Sequence, residues 1–126
     1  MSYRVVVTDE ASRDADAIFA WLRCRSPQGA RRWYDAFFDS AASLTRNPEA
    51  YAPIPRSSQL GFVVRSKPFG TVHGNTYQQL FVVIDIDIRI LRVRGPGQRS
   101  VRRRDLSWLS LEEPTHASHL ARLFAP

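Results

Sequence analysis

The hydrophobic period of this chain changes once, and that change limits what it can fold into. Up to Leu44 the apolar residues recur at three- and four-residue spacing: Ala15, Ile18, Phe19 and Leu22, then Ala30, Trp33, Phe37, Ala41 and Leu44. A segment broken by Pro48, Pro53, Pro55 and Gly61 follows. Beyond it the apolar residues come in short β-branched and aromatic runs, as strands require. Helices in the first half and strands in the second must share one small core.

Local signals place the elements. Tyr3 to Thr8 reads as a first strand, and Thr8 or Asp9 caps a helix that has Glu10 in its first turn. Ser26-Pro27 ends that helix and starts the next, because Ser suits the cap and Pro the first helical position. Asn47-Pro48 stops the second helix. So short a turn between the helices predicts an antiparallel hairpin. Residues 48–61 read as a loop held down by Tyr51 and Ile54.

Phe62 to Lys67, Tyr77 to Asp85 and Ile88 to Arg94 read as three strands, with Pro68-Phe69-Gly70 to Gly74-Asn75 as a turn or irregular hairpin tip. Leu80 to Ile84 is apolar at every position, which predicts a central strand covered on both sides. The expected class is α+β: an N-terminal strand, a two-helix antiparallel hairpin and a three-stranded, mostly antiparallel sheet. A short C-terminal extension follows.

Chemistry enters through charge. The net charge is +6, and residues 61–105 alone carry eight Arg and Lys67 against Asp85, Asp87 and Asp105. Such a localised excess suits a polyanionic partner, or else a solvated face. Arg65 and Lys67 alternate on one strand and Arg92 and Arg94 on another, with Arg99 just past Gly95-Pro96-Gly97. If the strand faces agree, these cations line the side of the sheet opposite the helices, with Tyr77 or Phe81 as a ring for stacking. In the alternative reading they pair with Asp85, Asp87 or acids of the tail.

No glycine-rich phosphate loop, HExxH or nucleophile elbow is present. His73, in the hairpin, is either a general acid–base group or an exposed turn residue. His116 and His119 stand three apart without the further ligands a metal needs, so no metal and no cofactor are expected. Cys24 is the only cysteine, which rules out an internal disulfide and fits a reducing compartment. It reads as an inert structural thiol. The longest apolar runs are too short to cross a bilayer, and no signal peptide is expected at the N-terminus.

The order of elements resembles the RelE/ParE superfamily of toxins from type II toxin–antitoxin (plasmid stabilisation) systems. The resemblance covers about residues 3–100 and rests on YRVVVTDEA, RRWYDAFFDSAASLTRNPEAYAPIP, GFVVRSKPFG, TYQQLFVVIDIDIRILRVR and GPGQR. It implies a cytoplasmic growth inhibitor held by a cognate antitoxin. The target it implies is DNA gyrase for ParE-like members, or messenger RNA in the ribosome for RelE-like endoribonucleases. The same fold could also serve as a nontoxic basic binding module.

Arg65 matches the arginine of the first C-terminal strand, and Arg92, Arg94 and Arg99 match the basic end of the last. Gln78 stands where the nuclease members carry arginine, and no tyrosine follows the last strand. The candidate catalytic residues are therefore Arg65, His73, Arg94 and Arg99. The candidate target-binding residues are Arg65, Lys67, Tyr77, Arg92, Arg94 and Arg99. Residues 1–100 are expected to form the toxin-like domain, and residues 101–126 an extension that packs on it or binds a partner.

Overall fold

The computed structural model describes residues 2–55, 57–72 and 74–96. The elements run β1 (Arg4–Val7), α1 (Asp9–Arg23), α2 (Pro27–Ser43), β2 (Arg65–Phe69), β3 (Tyr77–Ile84) and β4 (Asp87–Arg94). Two short 3-10 turns, Pro48–Ala50 and Ser57–Leu60, interrupt the connection from α2 to β2. The expected α+β class holds. The N-terminal strand joins the sheet as a fourth member, in the order β1-β4-β3-β2, and pairs parallel to β4 while the other pairs are antiparallel.

Both helix starts follow their capping residues. Thr8 accepts from the Ala11 amide, and Ser26 accepts from Gly29 with Pro27 in the first turn. The helices lay their apolar stripes on one face of the sheet. There Ala11, Ala15, Trp33, Phe37, Ala41 and Leu44 meet Val5, Val7, Phe81, Ile88, Ile90 and Val93. β3 is central, as its apolar run predicts, and Phe81 is fully buried on the helix side.

The connection after α2 crosses the edge of the sheet. Tyr51 packs on the helix side, while Ile54 and Leu60 pack on the far side with Val64, Leu80, Val82 and Leu91. In between, the Ile54 amide donates to Val64 O and the Ser66 amide to Ala52 O, so the loop covers the outer edge of β2.

β2 begins later than its sequence suggests and runs through Pro68 and Phe69, which were expected in a turn. Proline fits there because β2 is an outer strand, where one ladder donor can be missing. The tip that follows is tight: a Cβ on Gly70 would stand 2.7 Å from Asn75 O. The β3–β4 turn takes two residues, and Asp85 adopts a positive φ of 55°. No helix among the described residues is long and apolar enough to cross a membrane.

One buried polar contact joins the layers. Gln79 is fully buried; its amide nitrogen donates to Phe37 O at 2.9 Å, and its carbonyl accepts from Ser40 Oγ at 2.8 Å. Ser40→Ala should therefore destabilise the fold by about 1–3 kcal/mol, because it strands the Gln79 carbonyl in an apolar layer. Denaturant unfolding of the variant would check this, and an unchanged midpoint would refute it.

Candidate target-binding surface

Register decides where each cation goes. Arg65 pairs with Phe81 and Lys67 with Gln79, and both of those partners face the helices. Arg65 and Lys67 therefore also point to the helix side. Arg92 pairs with Leu80 and Arg94 with Gln78, on the opposite side. The strand faces do not agree, so Arg65 and Lys67 do not share one cationic face with Arg92 and Arg94. The β2–β3 pairing sets the two strands out of phase with the expectation, and a shift by one residue exchanges faces.

The β2 cations hold main-chain groups. Arg65 NH1 donates to Tyr51 O at 2.7 Å. Lys67 Nζ donates to Ser40 O at 2.8 Å and to Ser43 Oγ, and lies 5.7 Å from the centre of the Tyr51 ring. Ser40 and Ser43 belong to the last turn of α2, which has no basic residue of its own, so Lys67 supplies the cation favoured at a helix C-terminus. Burial, and then the charge of Arg46, push the Lys67 ammonium below its ordinary value.

On β4, Arg92 reaches round the edge of the sheet to Asp14 of α1, with contacts at 2.7 and 3.1 Å. The Val93 amide donates to the same carboxylate at 3.0 Å. Asp14 gave no signal in the sequence beyond lying off the apolar stripe of α1. Arg94 is partly buried, and Gln78 accepts from Ser66 Oγ. Arg89 was also missed. It lies 4% exposed at a position paired with Val82 and Val6, inside a strand read mainly for its ends.

Tyr77 is 7% exposed and packs against Trp33 and Phe69, so its ring is part of the core. Phe81 is likewise enclosed. His73 and Arg99 lie outside the described residues, as do His116, His119 and the extension from 101 to 126. An open groove of about 720 Å³ runs between the helical turn and the β2–β3 tip. Ser26, Gly29, Trp33, Asp39, Gly70 and Tyr77 are among the residues lining it. No group of three metal-ligating side chains occurs among the described residues.

A two-helix hairpin laid on a mixed four-stranded sheet, with basic β2 and β4, is the architecture expected of a RelE/ParE-type toxin. The chain matches the family described as the ParE toxin of the type II toxin–antitoxin system parDE over residues 5–99, and it belongs to that family. No curated protein matches it.

Two outcomes test this geometry. Asp14→Ala should cost about 1.5–3 kcal/mol in unfolding free energy, since a partly enclosed guanidinium loses this carboxylate and a strand amide loses its acceptor. Retained stability in a denaturant titration would contradict the clamp. The second outcome concerns pH. Burial raises the Tyr77 phenol above its ordinary 10.0, and Tyr34 shifts the same way through burial and then Asp16. The stability held by the neutral phenols is complete below pH 10 and is lost as pH rises through the raised folded-state values. Tyr77→Phe should flatten that alkaline decline, and identical declines for both proteins would exclude Tyr77 as a contributor.

Proposed function

We propose that this toxin inhibits growth by acting on DNA gyrase in the cytoplasm, and that a cognate antitoxin neutralises it. Membership of the ParE family supports the reading. The observation that carries it is the division of the basic residues between the two faces of the sheet. Arg65 and Lys67 are engaged at the helix side, while Arg94 lies across from Gln78 on the other. Among the described residues, the candidate catalytic cations Arg65 and Arg94 lie on opposite faces of the sheet, so the two do not converge on one developing phosphoryl charge as a nuclease would need. Gln78, in place of arginine, argues in the same direction. The basic end of β4, Arg94 with Arg99 beyond it in sequence, is the proposed contact surface for the target.

Controlled expression of the chain should arrest growth, and co-expression with the neighbouring reading frame should restore it. Purified gyrase should lose supercoiling activity on addition of the protein, while cellular messages stay intact. Cleaved messages with unimpaired supercoiling would replace this reading with a ribosome-dependent endoribonuclease. Unaffected growth under both conditions would point to a nontoxic binding module.

A further inference from the structure

The C-terminal end of α2 carries more positive charge than the fold requires. Lys67 alone meets the need of the helix end, through Ser40 O and Ser43 Oγ. Yet Arg46, exposed just beyond α2, donates its amide to Ser43 O at 3.2 Å, the same residue whose hydroxyl accepts from Lys67, and its charge acts on the Lys67 ammonium. Arg65, two residues from Lys67 along β2 and on the same side, adds a third cation about 7 Å away along the strand. Arg65 and Lys67 both meet Tyr51, one at its carbonyl and the other near its ring.

Among the described residues, no carboxylate forms an ion pair with this group. The ion pairs among the described residues are Arg4–Asp87, Arg13–Glu10, Arg31–Asp35 and Arg92–Asp14, and none involves Arg46, Arg65 or Lys67. Like charges held together at a partly open surface repel one another unless an anion joins them. Elsewhere Arg4, Arg13, Arg31 and Arg92 each meet a carboxylate. Here the fold assembles cations around main-chain carbonyls and leaves an exposed guanidinium beside them.

We propose that Arg46, Lys67 and Arg65 form a phosphate-binding site at the junction of α2 and β2. An exposed guanidinium can grip two phosphate oxygens at once. The Lys67 ammonium has three donors, two of which are engaged within the fold, so it keeps one for the ligand. The site lies on the face of the sheet opposite the Arg94 side chain and stands whether or not gyrase is the target. The phosphate belongs either to a nucleic-acid backbone or to a free phosphate compound.

The test uses the full-length chain, a fluorescent single-stranded oligodeoxynucleotide and inorganic pyrophosphate as competitor, from about 50 to about 200 mM salt. Arg46→Gln should weaken oligonucleotide binding about three- to tenfold and lower the slope of log affinity against log salt by about 0.7. Arg13→Gln removes the same charge from α1 and should change affinity less than twofold. Displacement by pyrophosphate from the original chain, weakened in Arg46→Gln, would identify phosphate itself as the recognised unit. Binding of the oligonucleotide alone, still weakened in Arg46→Gln, would assign the site to nucleic acid. Equal losses in the two variants, no loss in either, or no binding of either probe at the lowest salt would overturn the site. A chain that fails to inhibit gyrase yet passes this test would keep the phosphate site and lose only the proposed target.

Discussion

The sheet depends on how the outer edge of β4 is satisfied after β1 ends. β1 pairs only as far as Ile90, so among the described residues no strand lies beside the last residues of β4 on that side. Side chains from the start of α1 take over. Thr8 donates its hydroxyl to Ile90 O at 2.8 Å, and Asp14 accepts from the Val93 amide. The same Thr8 caps α1, so the beginning of the helix and the finishing of the sheet edge are one arrangement. A buried strand group left without a partner would cost about as much as a lost hydrogen bond. Thr8 at the cap of α1 and Asp14 within it thus do the work of a longer first strand, and they fix the helix against β4 as they do so.

Much of this fold was legible in the sequence. The stripes of α1 and α2, the Ser26-Pro27 boundary and the all-apolar run of β3 each have a local physical cause, and each element formed. The displacement of β2 toward Pro68 and Phe69 was not legible, since proline is a breaker except on an outer strand, and outer position is a property of the whole sheet. The faces of the cations were hidden for a related reason. Alternation shows that Arg65 and Lys67 share a side, but only the pairing with β3 says which side it is. No residue in the hairpin tip encodes that phase by itself. The partners Ser40, Asp14 and Tyr51 are distant in sequence, so no short motif announces them.

The aromatic layer shows the same limit. Tyr77 opens β3 and looked available to a ligand, but Trp33 of α2 stands edge-on to it at 5.3 Å and the Phe69 ring lies 6.0 Å from it. Such contacts add to the gain from burial and favour a core role for the ring. The basic residues of this protein therefore divide by task. Arg92 ties α1 to β4, while Arg46, Arg65 and Lys67 gather where β2 meets the end of α2.

Leu91 gives β4 a history that can be read from its pattern. Without it the strand would run Ile88, Arg89, Ile90, Arg92, Val93, Arg94, a plain alternation of inward and outward residues. The register slips opposite Leu80 and Phe81 to admit Leu91, and the added side chain fills the apolar cluster on the far side. The inserted residue therefore leaves the orientation of everything after it intact: Val93 still enters the core and Arg94 still points away from the helices. β4 behaves like a sentence with a parenthesis, in which the words on either side still agree. A chain built this way can gain or lose that one residue and keep its basic end facing the same way.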